Sequence, residues 1–283
     1  MNISGNTKVI AIFGDPISHT MSPAMHNAAF AEMGLDYVYV PFHVKPEELG
    51  SAVRGLKALG FAGANITVPH KERVLEFLDE VDPFAGKLGA VNTIVNRDGK
   101  LIGYNTDGLG FIKSLKEDAG FDPAKKKAFI CGSGGAARAI GFALENAGVR
   151  RVYLYDIDEL KRDRLVTDIN SASGKVSARP SPLDPDFIRS CDLVVNATPL
   201  GMHEGDPLPI PEGSFRVGQV VYDIVYNPPT TNTLVLAQAG GAKAVNGLGM
   251  LLYQGVIAFE HWIGRTPPAD VMRKVLMSRS KTV

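Results

Sequence analysis

Several short runs in this sequence set groups capable of chemistry beside turn-forming residues. The densest is Cys131-Gly132-Ser133-Gly134-Gly135-Ala136-Ala137, between an apolar run at 128–131 and a helix-like segment at 136–147. In such a turn the first glycine permits a tight bend, and the second lets backbone N–H groups approach a pyrophosphate. The small residue at Ala137 lets the helix pack close to the strand. The positive end of the helix dipole then favours a phosphate. The next β-type run ends in Asp156, near the spacing of about 20 residues at which a carboxylate meets the ribose of a dinucleotide. The alternative is a glycine turn that holds no ligand. The strand–turn–helix context and Asp156 favour a dinucleotide held by Gly132, Ser133, Gly134, Gly135 and Ala136. Because a carboxylate accepts from ribose hydroxyls and repels a 2′-phosphate, Asp156 favours NAD, while nearby Lys161 and Arg162 leave NADP open.

Four clusters in the first third are rich in small polar groups. They are Ile17-Ser18-His19-Thr20-Met21-Ser22-Pro23, Asn65-Ile66-Thr67-Val68-Pro69-His70-Lys71, Gly89-Ala90-Val91-Asn92-Thr93 and Tyr104-Asn105-Thr106-Asp107-Gly108. Loops after the carboxyl ends of parallel strands line the ligand crevice of an α/β sheet. Lys71 and Asp107 each follow an expected strand, and a partly desolvated Lys beside an Asp is an acid/base pair in which each partner tunes the other. Structural roles compete with this reading. Ser22 before Pro23 is a good helix N-cap, and Asp107 can cap a segment starting at Gly108. Lys71 can be a solvated first-turn lysine, although the helix dipole disfavours positive charge there.

These groups need a framework, and the chain supplies short β-type runs alternating with amphipathic segments, which predicts α/β architecture. Strands are expected at 9–13, 37–42, 64–68, 91–95 and 101–104, with helices at 23–33 and 46–59. The turn formers at 120–123 precede a second block. Its expected strands are 128–131, 151–155, 192–196, 220–223 and 242–245, and its helices 136–147, 159–169 and 234–239. Segments 248–262 and 268–277 are helix-like.

Composition narrows the function classes. The 283 residues carry 30 Lys+Arg and 30 Asp+Glu, without the basic excess that marks nucleic-acid binding. The two cysteines, Cys131 and Cys191, lie in apolar runs, so neither a disulfide framework nor a metal cluster is expected. No stretch has the length of a membrane span or the form of a secretory signal, and the expected location is the cytoplasm.

The residues also resemble a known family. Gly14-Asp15-Pro16-Ile17-Ser18-His19-Thr20-Met21-Ser22-Pro23, Ala64 to Lys71, Gly89 to Thr93, Asn105 to Gly108, Gly132 to Arg138, Asn196-Ala197-Thr198-Pro199 and Gly247-Leu248-Gly249-Met250-Leu251 occur in one order. In these stretches the chain resembles the shikimate dehydrogenases, including the quinate/shikimate dehydrogenase branch, over essentially its full length. The resemblance implies reversible NAD(P)-dependent reduction of 3-dehydroshikimate to shikimate on the route to chorismate and the aromatic amino acids. It implies an α/β substrate domain at 1–108, completed by returning C-terminal helices at 248–283, and a Rossmann domain at 109–247. Lys71 and Asp107 would be the catalytic pair. Thr20, Ser22 and Tyr226 would hold the substrate carboxylate, and Thr67, Asn92 and Gln254, with Asp107, the ring hydroxyls. Ile224 and Gly247 would join the cofactor site, and no metal is implied. Partners would be small molecules, and the enzyme a monomer or homodimer.

Two departures bear on specificity. Where NADP-using members carry Asn-Arg-Thr, this chain has Asp156-Ile157-Asp158, and Thr20 stands where the family commonly has Ser. Both tilt the expectation towards NAD and towards quinate as a second substrate. A non-catalytic nucleotide-binding regulator on this scaffold should have lost one of Lys71 and Asp107, and both are present.

Overall fold

A computed structural model of the chain describes residues 3–174 and 177–279. The described residues divide into two compact units, one of residues up to 106 together with those from 252 onward, and one of those between 107 and 251. The boundaries drawn from the sequence stand at 108/109 and 247/248.

The first unit begins with β1 (Lys8–Gly14), α1 (Ser22–Glu32), β2 (Tyr37–His43), α2 (Leu49–Ala58) and β3 (Gly63–Ile66). It continues through β4 (Glu80–Val81), α3 (Pro83–Leu88), β5 (Thr93–Arg97) and β6 (Lys100–Tyr104). Its sheet has the order β2-β1-β3-β5-β6-β4. β1 pairs in parallel with β2 and β3, and β3, β5 and β6 pair antiparallel in sequence. The buried residues of α2, Leu49, Val53 and Leu56, fall on one helical stripe and join Phe13, Ile66, Ile94 and Leu101 in a core.

The second unit opens with α4 (Asp107–Glu117), β7 (Lys127–Cys131), α5 (Gly135–Asn146), β8 (Arg151–Tyr155) and α6 (Glu159–Ser173). There follow β9 (Ala178–Pro180), α7 (Pro185–Arg189), β10 (Leu193–Asn196), β11 (Val220–Asp223), α8 (Asn232–Ala239) and β12 (Lys243–Asn246). Its sheet runs β12-β11-β10-β7-β8-β9, and every pairing is parallel. This is the doubly wound order of dinucleotide-binding sheets, with the strand order reversing between β7 and β10. Side-chain caps start α6 and α7, Asp158 on the Lys161 N–H at 3.1 Å and Asp184 on the Phe187 N–H at 2.8 Å. The chain ends in α9 (Leu248–Ile263) and α10 (Ala269–Arg279).

Several elements depart locally from expectation. β3 ends at Ile66, two residues short of the expected end, although the Thr67 N–H and the Val68 carbonyl still bond to Phe13 and Asp15. β5 starts at Thr93 and not at residue 91, because the Val91 N–H donates to the Lys71 carbonyl at 2.8 Å. Ser22 is not an N-cap: it is the first residue of α1, and no side chain caps that helix. Asp107 likewise opens α4 itself. Among the described residues no helix is long and apolar enough to cross a membrane.

Candidate active site

In the second unit, the glycine turn lies at the strand-order reversal, between the ends of β7 and β10. Gly132 has φ +107, and a Cβ there would meet the Ala197 carbonyl oxygen at 2.8 Å. Only glycine satisfies both conditions. Gly134 and Gly135 differ: a Cβ at either would meet nothing within 4 Å. The fold does not demand glycine at these two positions, whereas a ligand backed closely against the main chain would. Gly134 opens α5 with no side chain capping the helix, so the first-turn N–H groups have no side-chain acceptor. The buried Oγ of Ser133 has no hydrogen-bond partner. Ala136 follows in the first turn of α5, and Ala137 is fully buried. Open glycines, an orphan hydroxyl and a helix N-terminus fit the pyrophosphate of a dinucleotide.

The rest of this half-site is built by hydrogen bonds. Asn196, at the end of β10, donates to Asp223 Oδ1 at 2.9 Å and to the Leu200 carbonyl at 3.1 Å. Its Oδ1 accepts from the Thr198 hydroxyl at 2.7 Å. Asp223 also accepts from the Val225 N–H at 3.0 Å and the Thr231 hydroxyl at 2.6 Å, fixing the loop that carries Ile224 and Tyr226. Burial raises the proton affinity of Asp223 against these bonds, and it raises the Tyr226 phenol as well. Gly247 is required because a Cβ there would collide with the Ile224 carbonyl. Asp156 follows β8 directly and is half-buried, and its Oδ1 accepts the Asp158 N–H at 2.9 Å. Lys161 pairs with Asp158 at 3.1 Å and Arg162 with Asp163 at 2.8 Å, so both neighbouring cations already face carboxylates.

In the first unit the polar clusters form a largely buried network. Asn92 Oδ1 accepts from the Thr106 N–H at 2.8 Å, and its Nδ2 reaches Thr106 Oγ1 at 2.9 Å and Gln254 Oε1 at 3.5 Å. Thr93 donates to Asn92 Oδ1 at 3.0 Å. Asn65, inside β3, donates to the Asn92 carbonyl at 3.0 Å and to Thr93 Oγ1 at 3.1 Å. At the N-terminus of α1, Thr20 Oγ1 accepts the Ser22 N–H at 3.3 Å. Thr67 follows β3, its N–H bound to the Phe13 carbonyl at 2.9 Å. Lys71 is half-buried in the next turn, which the His70 ring anchors by its Nε2 contact with the Val44 carbonyl at 2.7 Å.

Thus the structure gathers Asn92 and Gln254 in one network, and Thr20 with Ser22 in one turn. The Tyr39 hydroxyl joins the network by donating to Asn65 Oδ1 at 2.6 Å, and four of its members, Tyr39, Asn65, Thr93 and Thr106, had no role assigned from sequence. The available signal was a polar residue in a run that packs on both sides: Asn65 lies in a strand whose four residues are all buried.

Known proteins resemble this chain closely. Residues 12–94 match the shikimate dehydrogenase substrate binding domain, and 247–277 the shikimate 5′-dehydrogenase C-terminal domain. A shikimate dehydrogenase (NADP(+)) of Desulforamulus reducens is 49% identical over 97% of this chain and 96% of that protein. One of Moorella thermoacetica is 48% identical over 98% and 95%. Among solved structures, a shikimate dehydrogenase in complex with NADP+ superposes with TM-score 0.92 at 42% identity, covering 98% of this chain and 97% of the other. A shikimate 5-dehydrogenase from Listeria monocytogenes in complex with shikimate and NAD gives 0.91 at 38%, covering 98% of each. A quinate dehydrogenase from Corynebacterium glutamicum in complex with NAD gives 0.91 at 31%, covering 96% and 99%. These relatives correct the expectation of NAD: the curated ones are named for NADP(+), and the solved complexes hold both dinucleotides. The Asp156 carboxylate, from which NAD was expected, has one of its oxygens engaged in the local turn.

Proposed function

The chain belongs to the shikimate dehydrogenase family, and from that premise we propose that it interconverts 3-dehydroshikimate and shikimate with a nicotinamide dinucleotide. The observation that carries this reading is the buried network around Asn92. It fixes Thr106, and therefore the start of the next residue, Asp107, by bonds to both the N–H and the side chain.

The chemistry adds one hydride to the carbonyl carbon and one proton to its oxygen. The bound dinucleotide supplies the hydride in reduction and accepts it in oxidation. Lys71 hydrogen-bonds the reacting oxygen, gives it the proton in reduction and takes it back in oxidation. Its positive charge also stabilises negative charge developing on that oxygen. Asp107 orients the same group. Thr20, Ser22 and Tyr226 bind the carboxylate, and Thr67, Asn92 and Gln254 the ring hydroxyls. Ser133, Gly134, Gly135 and Ala136 present N–H groups and the Ser133 hydroxyl to the pyrophosphate, with Gly132, Ile224 and Gly247 shaping the pocket.

For the cofactor we favour NADP, following the relatives. Asp156 opposes its 2′-phosphate and keeps NAD as a second substrate. Quinate is a second reading for the carboxylate end, because Thr20 brings a methyl group to that corner, and a change of this size decides about 1–3 kcal/mol. We take the enzyme to be cytoplasmic, a monomer or homodimer, and a user of small molecules only.

The test is initial rates on purified protein with shikimate and quinate, each with NADP and NAD. The expected result is turnover of shikimate, faster with NADP. Absence of turnover in all four combinations overturns the reading and favours a nucleotide-binding regulator.

A further inference from the structure

Tyr222 lies in β11 between Val195 of β10 and Val245 of β12, and it is fully buried. Its ring meets Phe111 of α4 edge to face, with centroids 4.9 Å apart and planes at 70°. Phenylalanine would keep that contact. It would lack the hydroxyl.

That hydroxyl is bonded on two sides. It accepts the N–H of Met250, in the first turn of α9, at 3.1 Å. It also lies 2.8 Å from the Ser114 hydroxyl of α4, which donates to Asp118 Oδ2 at 2.7 Å. Serine has one O–H, and with that proton given to the carboxylate only the phenol can donate in the Tyr222–Ser114 pair. A directed series therefore runs from the Met250 N–H through Tyr222 and Ser114 to Asp118. The first N–H groups of a helix have no partner inside it. In α9, Asn246 takes that of Leu248 at 3.2 Å, and Tyr222 takes that of Met250. The turn is also closely packed here, since a Cβ at Gly249 would collide with the Ser114 and Asp118 side chains.

The next residue of β11 projects to the opposite face of the sheet. It is Asp223, whose carboxylate fixes the loop that carries Ile224. Gly247, directly before α9, donates its N–H to the Val225 carbonyl at 3.2 Å and leaves no room for a Cβ against the Ile224 carbonyl. The last two residues of one strand thus hold both sides of the Gly247–Ile224 contact.

We propose that Tyr222 is a positioning residue for the nicotinamide half of the cofactor site: its hydroxyl fixes the first turn of α9 and so keeps Gly247 seated on Ile224. The proposal rests on the role given above to Ile224 and Gly247. On that reading Asp156, directly after β8, marks the adenosine side of the glycine turn. The nicotinamide half then extends the other way along the sheet, over β10 and β11. Without the phenol oxygen the Met250 N–H loses its acceptor and Ser114 its donor, and the surface under the nicotinamide shifts while the glycine turn does not.

The experiment compares wild type and Tyr222→Phe by kcat/KM for NADP at saturating shikimate and by the inhibition constant of 2′-phospho-ADP-ribose, which is NADP without its nicotinamide ring. The expected result is a fall in kcat/KM of about three- to tenfold, as for loss of one hydrogen bond. Inhibition by the fragment should stay at the wild-type value, a split that general loosening of the fold would not produce. Equal changes for NADP and the fragment, or an unchanged kcat/KM, would each overturn the proposal. In a double-mutant cycle, Ser114→Ala should cost less when added to Tyr222→Phe than it does alone, and additive effects would overturn the series. Ser114→Ala, which leaves the phenol on Met250 but removes the oxygen that receives its proton, serves if Tyr222→Phe does not fold. A lower kcat/KM for NADP with unchanged inhibition by the fragment is then expected, and any other result overturns the proposal. Failure of wild type to turn over shikimate counts against the proposed function instead, so the two outcomes stay distinct.

Discussion

The Cα of Gly132 sits so close to the carbonyl of Ala197 that a methyl group on it would lie 2.8 Å from that oxygen, at a φ of +107. Two residues on, Gly134 has φ −74 and open space around it. The same turn therefore contains a glycine required by the fold and one whose only visible reason is a ligand.

Alanine separates the two. Gly132→Ala should destabilise the protein by about 1–3 kcal/mol through backbone strain and overlap. Gly134→Ala should leave the urea midpoint unchanged or slightly raised, since Ala fits that backbone and loses less entropy on folding. It should nevertheless raise KM for the dinucleotide at least tenfold. An unaltered dinucleotide KM in Gly134→Ala would remove the turn from the binding site.

For Lys71 the decisive readout is the rate of the chemical step. Lys71→Ala should lower kcat by about 10²–10⁴-fold, the usual contribution of a positioned general acid/base. Shikimate should still bind, as read by fluorescence or calorimetric titration. A near-wild-type kcat would show that another group handles the proton.

Asp156 sets the cofactor ratio by charge. Asp156→Asn keeps an oxygen to accept the Asp158 N–H and removes the repulsion of a 2′-phosphate. The ratio of kcat/KM for NADP over NAD should rise in this variant. If the ratio does not move, Asp156 has no part in the discrimination.

His26 gives a pH dependence of stability. It is fully buried, neither ring nitrogen has a hydrogen-bond partner, and burial lowers its pKa from 6.5 to about 3. Above the unfolded value both states are neutral and pH has no effect through this residue. Below it the unfolded chain takes a proton that the folded chain refuses, so stability falls as pH drops, by about 1.4 kcal/mol per unit. The loss continues down to the folded value of about 3. His26→Phe, which keeps the stacking with Tyr39 and Phe259, should flatten the change in urea midpoint between pH 7 and 5. An identical slope in both proteins would assign the acid sensitivity elsewhere.

Much of this was legible in the chain because its causes are local. The Gly132–Ala137 turn is a strand end, a bend and a helix start within one stretch of chain, so residue types alone specify it. The same holds for the alternation that separates β7, α5 and β8, and for Asp156 directly after β8. Lys71 and Asp107 stood out because each follows a short apolar strand. What the sequence could not contain is which strands lie side by side. Tyr39 meets Asn65 only because the sheet order puts β1 between β2 and β3, with Ile10 facing Tyr39 and Gly63 in register. Asn92 meets Gln254 across more than half the chain. Ser22 read as a helix cap from its neighbours, yet it is the first helical residue and its N–H donates to the Thr20 hydroxyl. Local propensity sets the elements, whereas buried polar groups take whichever partner the pairing of distant strands supplies, because leaving them unpaired costs more than any local preference.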